Sequence, residues 1–477
     1  MFWNCGNHPD QDLNPNFYAT RRDFLNRVGT GFGALALASL FADQAKGQQA
    51  PSGLLAPKQP HYPGTAKRVC HIYQSGAQSH IDTWDPKPEL AKSEGKSAGG
   101  MGRGRLLPTQ FEFAKSGKSG LEMSSIWPEL ASKCADDLCV IRSCWTDVPA
   151  HEEATKMMTS GDFRLPKPSI GSWVTYGLGS DNQNLPAFVA MNPGGFPSAG
   201  NANWQSAFMP GAYQGTYVDP TNTRIEQIIE NIKGQFIGSS AEQRQQLDLL
   251  SRLNEIHKQK RQADGQLDAR IQSFELAYRM QTDATEAFDL SKEPDHVLKL
   301  YGADSMDRGM ATQARQFILA RRLLERGVKF VQCWNGGWDH HGGILTAAKA
   351  RAGAIDKPIA GFLQDLKQRG LLKDTLVASS SEFGRSSTED NAGGRTHNAK
   401  AFSSWLAGGG IKGGTVYGAT DELGSAAVEN KVHTHEFHST ILHALGFDSE
   451  KLTFRSGGRD FRLTDVSGAQ PVKSIFA

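Results

Sequence analysis

The sequence predicts an α/β protein with a mostly parallel sheet, and two observations support that prediction. Five short runs rich in β-branched and apolar residues recur along the chain, and longer segments with helical periodicity separate them. This alternation is typical of a parallel sheet with helices on both faces. With 477 residues, the chain can also bury a large core in one or two domains.

The individual elements follow from local pattern. The predicted strands are Arg68–Gln74, Leu138–Cys144, Ala187–Met191, Val328–Trp334 and Thr375–Ser380. Helices are predicted at Ala311–Arg326, Ile344–Arg369 and Thr434–Leu445. Thr434 is expected to be the N-cap of the last helix, because threonine accepts hydrogen bonds from first-turn amides.

The segment from Thr223 to Asp289 differs from its surroundings. It is polar and rich in Gln, Arg and Glu, and isoleucines recur at helical spacing near its start. This pattern predicts two or three amphipathic helices inserted into the α/β core, at about residues 222–290. We expect the insertion to form a cap or an interface.

The N-terminus has the layout of an export signal. Arg21 and Arg22 precede Phe24, and a charge-free run from Val28 to Phe41 follows. The form resembles a twin-arginine signal, and its apolar run is shorter than the about 20 residues that span a bilayer. We therefore expect a signal peptide at 1–47, a linker at 48–66 and the folded domain at 67–477. The alternative is a surface helix that happens to begin with two arginines.

Export by this route predicts a periplasmic or extracellular protein that uses the twin-arginine machinery as a partner. That pathway carries folded proteins, often with a cofactor already loaded, so the signal also favours a metal protein. A net charge of +2 argues against nucleic-acid binding. No second apolar segment reaches about 18 residues, so no membrane span is expected in the mature form.

Cysteine usage leaves alternatives open. Five cysteines follow the signal, an odd number whose spacing fits no zinc module. Cys70, Cys139 and Cys333 fall in apolar runs and are expected to be buried thiols. A disulfide between two of Cys134, Cys139 and Cys144 remains open.

Polar clusters follow two of the predicted strands, where an open α/β sheet usually carries its site. Asp339, His340 and His341 lie on a glycine-flanked loop just after Trp334, and they offer oxygen and nitrogen ligands for a divalent cation. The alternative is a polar turn.

A second cluster follows the strand that ends at Ser380. Glu382 is a candidate metal ligand or base, and Arg385 a candidate clamp for an anion. These two side chains could instead pair with each other. Further along, Arg395 and His397 lie on another glycine-flanked loop, and His397 could complete a metal site with Asp339 and Glu382.

The run from His433 to His438 contains three histidines. His435 and His438 lie one turn apart on the predicted helix, so they could reach a metal. They could equally be first-turn polar residues.

Seven motifs resemble an uncharacterised family of twin-arginine-exported, sulfatase-like proteins of the alkaline phosphatase superfamily. They cover essentially the whole mature chain: HIYQSGAQSHIDTWDPKPEL (71–90), MMTSGDFRLPKPSIGSWVTYGLGS (157–180), NLPAFVAM (184–191), GGWDHH (336–341), SEFGR (381–385), LAGGGIKGG (406–414) and HSTILHALGFDSEKLTFRSGGRDFRLTDVSG (438–468). The resemblance implies an alkaline-phosphatase-like α/β/α sandwich with the helical insertion as a cap.

The resemblance also implies a metal site. Asp339 and His341 resemble the superfamily's first Asp/His pair, Glu382 its second acid and His397 its late histidine. The chain departs from the pattern at Thr396, where the family has Asp, and at Phe383, where the superfamily usually has His. The second departure weakens the case for two metals.

No nucleophile is evident. The position that matches the formylglycine site of true sulfatases, ten residues before Gly161, holds His151, so formylglycine chemistry is not expected. His151 is itself a catalytic candidate by its position. Thr146, Thr155 and Ser79 are hydroxyl candidates, and nothing in the sequence chooses among them.

These features together predict metal-dependent hydrolysis of a sulfate or phosphate ester outside the cytoplasm, on a small-molecule or glycan substrate. The metal is expected to be zinc or manganese, because imidazole ligands suit both; calcium and magnesium remain open. Arg385 or Arg395 would neutralise the transferred group. The alternative is a non-catalytic exported binding or assembly protein with the same fold, and a phosphomutase or transferase is a third option.

Overall fold

A computed structural model describes residues 53–97, 104–182, 184–222, 240–260 and 286–477, together with residues 228 and 278. The predicted signal peptide (1–47), the first part of the predicted linker (48–52) and most of the predicted insertion lie outside these ranges. Within the insertion, the structure describes one helix, Ser240–Lys260.

The described strands, numbered in chain order, are β1 Arg68–Tyr73, β2 Phe113–Ser116, β3 Leu121–Ser124, β4 Leu138–Trp145, β5 Phe188–Met191, β6 Thr216–Val218, β7 Phe330–Trp334, β8 Thr375–Ser380, β9 Gly384–Glu389, β10 Arg395–Asn398, β11 Phe402–Ala407, β12 Thr415–Tyr417, β13 Ala419–Thr420, β14 Ala427–Glu429, β15 Val432–His433, β16 Phe454–Ser456 and β17 Arg459–Phe461.

The described α-helices are α1 His80–Thr83, α2 Pro88–Lys92, α3 Pro128–Lys133, α4 His151–Ser160, α5 Ile170–Leu178, α6 Ser240–Lys260, α7 Asp295–Tyr301, α8 Arg308–Glu325, α9 Ile344–Gln368 and α10 Thr434–Ala444. Short 3₁₀ helices lie at Ala135–Asp137, Gly200–Trp204, Gly211–Tyr213, Leu290–Lys292, Leu372–Asp374 and Lys473–Ile475.

Nine of the described strands form one sheet in the order β12-β4-β11-β8-β1-β7-β5-β6, with β15 beside β4. Within it β1 pairs in parallel with β7 and β8, and β5 pairs in parallel with β6 and β7. Strand β11 alone in this sheet runs antiparallel to its neighbours, β4 and β8. The predicted mostly parallel α/β fold is confirmed.

Helices cover both faces of the sheet. Cys70 and Ile72 of β1 belong to one apolar cluster with the helices α8 and α9, whereas Val69 and Tyr73 belong to another with α5 and α10. Alternate residues of β1 thus enter opposite layers, as expected when a central strand is buried on both sides. The result is an α/β/α sandwich.

The predicted elements agree closely with the structure. Strand β8 has the predicted bounds, and α9 and α10 each end one residue before the prediction. The predicted N-cap Thr434 is wrong: His433 is the N-cap, and its ring accepts from the amide of His435 while Glu436 accepts from the amide of His433. Within the described residues, no helix combines the length and apolar content that crossing a membrane requires.

Candidate metal centre

The candidate centre lies at one edge of the sheet, where β4, β7 and β8 end. The loop after β7 contains Asp339 and His341, and the segment after β8 contains Glu382. His151 begins α4, shortly after β4, and His397 lies on the hairpin β9–β10, where it pairs with Arg385. The carboxyl ends of strands that run in the same direction meet at one edge, so residues distant in sequence converge there.

The loop after β7 is anchored against the loop after β1. The indole Nε1 of Trp338 donates to Gln74 Oε1 at 2.9 Å, and the amide of Trp338 donates to Ser75 O at 3.2 Å. Gly76 packs so closely that a Cβ there would lie 2.6 Å from the backbone nitrogen of Asp339, and its φ is +107°. Only glycine fits this position without displacing the loop that holds Asp339.

Glu382 orients His151. Its Oε1 accepts from Nδ1 of His151 at 2.7 Å and from the amide of Gly76 at 2.7 Å, and its side chain is 1% exposed. The hydroxyl oxygen of Ser381 lies 3.1 Å from the second carboxylate oxygen, Oε2. Glu382 therefore fixes the ring of His151 through Nδ1, and the other ring nitrogen, Nε2, faces the centre.

The other two rings are held in the same way. His341 Nδ1 contacts Asp390 Oδ2 at 2.6 Å, and His397 Nδ1 contacts the carbonyl oxygen of Pro149 at 2.8 Å. Metal-binding histidines usually donate their second ring nitrogen to a carboxylate or carbonyl in this manner.

The three Nε2 atoms and one carboxylate oxygen converge on one point. His397 Nε2 lies 3.1 Å from His151 Nε2 and 2.9 Å from His341 Nε2. Asp339 Oδ1 lies 3.2, 3.0 and 3.5 Å from the Nε2 atoms of His151, His341 and His397. Ligands about 2.0–2.1 Å from a tetrahedral zinc ion lie about 3.3 Å apart, and each of these five separations is close to that value. The group whose ligand atoms all lie within 4.8 Å of one another consists of His151, Asp339 and His397, and His341 adjoins it through Asp339 and His397.

Hydrogen bonding alone does not satisfy these contacts. Each Nδ1 faces an acceptor and takes the ring proton, so each neutral ring presents a lone pair at Nε2. Arg385 donates towards Asp339 Oδ1 and His341 Nε2, but the Nε2 atoms of His151 and His397 face each other as two lone pairs when both rings are neutral. A proton on one ring relieves some contacts, whereas a divalent cation relieves them all. The donor set therefore fits a metal ion.

The pKa shifts reflect this crowding of charges. Burial raises the pKa of Asp339, but Arg385, and then His151 and His341, outweigh it and hold that pKa at about 2. Burial lowers the pKa of His151, but Glu382 and then Asp339 outweigh it and raise the pKa. Burial lowers the pKa of His397, and the nearby Arg385 lowers it further. Asp339 is thus ionised and His397 neutral near pH 7, the forms that bind metal.

Arg385 is fixed beside the centre. Its guanidinium donates to three backbone carbonyls: Nε to Ala77 at 2.9 Å, Nη1 to Arg395 at 3.1 Å and Nη2 to Gly76 at 2.6 Å. The two remaining N–H groups face the centre, one towards Asp339 Oδ1 and one towards His341 Nε2 at 3.4 Å. All five donors of this buried side chain are engaged.

The structure does not bring Arg395 or Thr155 to the centre. Arg395 is fully buried and pairs with Asp82 through Nε at 2.7 Å and Nη2 at 3.2 Å, and its Nη1 donates to two backbone carbonyls. Thr155 is also fully buried, and its Oγ1 accepts from Tyr73 at 3.3 Å.

Phe383 forms an apolar wall of the centre. Its ring centroid lies 4.9 Å from that of His151 and 4.7 Å from that of His397. None of the hydrogen bonds of the four converging atoms involves a Ser, Thr or Cys of the described residues.

The histidine run at α10 has structural roles. His435 Nε2 donates to Gly161 O at 2.8 Å, and His438 Nε2 donates to Met158 O at 2.7 Å. His433 contacts Asp147 at 3.0 Å and caps the helix. The five cysteines of the described residues are buried and free, including the three for which a disulfide remained open.

Two of the four predicted ligands, Asp339 and His397, join His151 in the closest ligand cluster of the described residues, within 4.8 Å of one another. His341 contacts both predicted ligands, and Glu382 reaches the centre only through His151. Sequence reasoning placed His151 among the catalytic candidates and did not propose it as a ligand. The sequence shows His151 only as a single histidine at the start of a helix that follows a strand. That pattern indicates a ligand only when the order of the strands in the sheet is known.

Comparison with solved structures returns proteins of low similarity. A magnesium-bound mutant of the alkaline phosphatase from the Antarctic bacterium TAB5 has 13% identity and a TM-score of 0.35, covering 82% of this chain and 100% of that chain. A sulfatase from Pseudoalteromonas sp. has 11% identity and a TM-score of 0.34, covering 81% and 68%. The lipoteichoic acid synthase of Listeria monocytogenes has 9% identity and a TM-score of 0.34, covering 83% and 76%. At this level of similarity, no residue of the centre is assigned from these proteins.

No curated protein matches the chain. Its sequence does match a family profile over residues 66–476, nearly the whole described part of the chain. The chain belongs to the family described as "Protein of unknown function (DUF1501)".

Proposed function

We propose that this protein is an exported metal-dependent hydrolase of sulfate or phosphate esters that works without a formylglycine nucleophile. The supporting observation is that the Nε2 atoms of His151, His341 and His397 lie close to Asp339 Oδ1. The Nδ1 atom of each ring is held by an acceptor on the opposite side. Small-molecule or glycan esters are the proposed substrates.

The donor set favours particular metals. Three imidazole nitrogens and one carboxylate oxygen suit zinc or manganese, whereas calcium and magnesium prefer oxygen ligands throughout. His151 takes the place that the sequence assigned to Glu382, and Glu382 orients it.

A divalent metal bound at this centre would polarise the ester oxygen and lower the pKa of a bound water towards about 7. The chain's own residues would position the substrate. Ligation of His341 would release the N–H of Arg385 that now faces Nε2, and three backbone carbonyls would keep that donor in place. An ester oxygen is the acceptor that we propose for it.

The environment of the cysteines supports chemistry without formylglycine. All five described cysteines are buried, and burial raises the pKa of Cys134 and of Cys144 to about 12. Mass spectrometry of the purified protein should detect no formyl group on any cysteine.

A non-catalytic binding or assembly protein is the second candidate. Arg395 is buried in an ion pair, and no Ser, Thr or Cys of the described residues forms a hydrogen bond with the converging atoms. One assay separates the candidates. Protein stripped with a chelator and reloaded with zinc or manganese would be tested on sulfate and phosphate monoesters, beside Asp339→Asn and the surface control His296→Ala. The hydrolase proposal predicts turnover that depends on metal and on Asp339. A wild type that binds metal and hydrolyses no ester would support the second candidate.

We also propose twin-arginine export. Replacement of Arg21 and Arg22 by lysine should leave folded, unprocessed protein in the cytoplasm, because a receptor reads the arginine pair rather than its charge. Normal export of that variant would remove the proposal.

A further inference from the structure

A large cavity adjoins the candidate metal centre. Its volume is about 1020 Å³, and three residues tied to the centre line it: His397, Asp390 and Pro149. His397 offers Nε2 to the centre, Asp390 holds His341 and Pro149 holds His397. A sulfate or phosphate group alone would fill little of this space, so the cavity is large enough for the part of the substrate that bears the ester.

The charges on the cavity wall are mostly negative. Four carboxylates line it, against the single ammonium of Lys400: Asp147, Glu389, Asp390 and Asp421. The two nearby arginines, Arg385 and Arg395, are buried behind the wall and bonded to carbonyls and carboxylates. A substrate with several anionic groups would be repelled here, because like charges oppose association.

The remaining lining is polar rather than apolar. Hydroxyl and amide side chains contribute to it, namely Ser386, Ser387, Thr388, Thr396, Asn398 and Ser425. Trp145 contributes the one indole ring among the described lining residues, and it is partly exposed. Several of these groups bond to one another: Ser386 bonds with Thr388, and both Ser387 and Asn398 bond with Ser425. An aliphatic ester would displace water from their remaining hydrogen-bonding positions without replacing the bonds that the water makes.

From this geometry we infer that the cavity binds an uncharged, hydroxyl-rich carrier, a carbohydrate of several units, and discriminates against polyanions. Carboxylates accept hydrogen bonds and donate none, so they match sugar hydroxyls, and a partly exposed indole can pack against a sugar face. The inference rests on the proposed function, because it places the single anionic ester at the metal end and its neutral carrier in the cavity.

The test measures binding rather than hydrolysis. Zinc-loaded protein would be titrated calorimetrically with neutral tetrasaccharides of glucose, galactose, mannose or xylose, and with the fully sulfated counterpart of each. At least one neutral tetrasaccharide should bind, and its sulfated counterpart should bind at least about tenfold more weakly. Failure of every neutral tetrasaccharide to bind, or equal or tighter binding of the sulfated forms, would overturn the inference.

Variants identify the cavity as the binding site. The double variant Asp147→Asn, Glu389→Gln keeps the shape of both side chains and removes two negative charges. It should therefore reduce the difference in affinity between the neutral and the sulfated tetrasaccharides. Thr396→Asp adds a negative charge at an exposed position of the cavity wall and should increase this difference in affinity. Asp460→Asn is the control, because Asp460 lies on the hairpin β16–β17 and does not line the cavity; it should leave both affinities unchanged. Unaltered selectivity in both cavity variants would also contradict the inference.

The outcome is separable from the proposed function. The tetrasaccharides carry no scissile ester, so binding can be observed in a protein that hydrolyses nothing. Conversely, hydrolysis of small chromogenic esters without any carbohydrate binding would leave the hydrolase proposal standing and remove this one.

Discussion

The Nε2 atoms of His151 and His397 face each other at 3.1 Å, while the Nδ1 atoms of both rings are turned away to acceptors. In their neutral forms these two imidazoles have no proton to share along this contact. Burial lowers the pKa of His151, but Glu382 and Asp339 outweigh it and raise that pKa, which favours positive charge at this point. Asp339 Oδ1 lies within 3.5 Å of both Nε2 atoms and adds negative charge at the same point. A cation at this point would balance these atoms, and this relationship is the basis of the predictions about the centre.

Removal of one ligand should abolish metal-dependent stability. His397→Ala leaves Asp339 and two imidazoles poorly compensated, so metal content and melting temperature should both fall. A chelator should lower the wild-type melting temperature and leave the variant almost unchanged, because a ligand stabilises only the form that binds it. Differential scanning calorimetry measures both effects, and the exposed His296→Ala is the control. If the chelator lowered the melting temperature of His397→Ala as much as that of the wild type, His397 would not be a metal ligand.

Glu382 is expected to tune the centre without ligating it. In Glu382→Gln, the neutral amide is a weaker partner for the Nδ1–H of His151, so metal affinity should fall by about 10–100-fold with metal still bound at saturation. Competition with a coloured chelator gives the dissociation constant. Glu122→Gln is the control, because Glu122 is half-exposed and forms no hydrogen bond with the residues of the centre; its metal dissociation constant should equal that of the wild type. Complete loss of the site in Glu382→Gln would instead make Glu382 a direct ligand.

Arg395 is expected to stabilise the fold rather than contact substrate. It forms a buried ion pair with Asp82, and removal of one partner of such a pair costs about 3–5 kcal/mol. Arg395→Met should therefore lower the free energy of unfolding by that amount, and Asp82→Asn combined with it should lose less than the sum of the single changes. Urea denaturation measures this. A stable Arg395→Met variant that has lost only activity would restore its predicted role as an anion clamp.

Two buried histidines should make the protein sensitive to acid. Burial lowers the pKa of both His71 and His438 to about 3. Each folded pKa lies below the unfolded value of about 6.5, so their contribution to stability is present above pH 6.5 and is lost as the pH falls towards 3. Between pH 6.5 and 5, each should cost about 2 kcal/mol of unfolding free energy.

His438→Gln isolates one of these contributions. Its amide can still donate to Met158, so the difference in unfolding free energy between pH 6.5 and 5 should shrink by about 2 kcal/mol relative to the wild type. Urea denaturation with chelator present excludes effects of metal release. An unchanged pH dependence would show that His438 is not held neutral, and His296→Gln serves as the control.

Much of the fold could be predicted because its central strands are continuous apolar runs with polar ends. Strand β8 is one such run, and its predicted bounds match the structure. The position of Asp339 and of Glu382 after strand ends also indicated the edge at which the centre lies. These are local signals, readable from a few neighbouring residues.

The unpredicted parts of the centre depend on long-range pairing. His151 and His397 are 246 positions apart, and Arg395 and Asp82 are 313 apart. Their contacts arise because β4 lies next to β11, and β11 next to β8, an order that periodicity does not reveal. For the same reason, the sequence could not show that His151 lies between Glu382 and the centre.

The most direct test is the coordination of the bound metal. Protein stripped of metal and reloaded with zinc should retain one ion per chain by elemental analysis. Its zinc-edge X-ray absorption spectrum should fit three imidazole nitrogens and a carboxylate oxygen at about 2.0–2.1 Å. The combined His151→Ala and His397→Ala variant should lose that spectrum. No retained ion in the wild type, or an unchanged spectrum in the variant, would contradict the assignment of these four residues as one metal site.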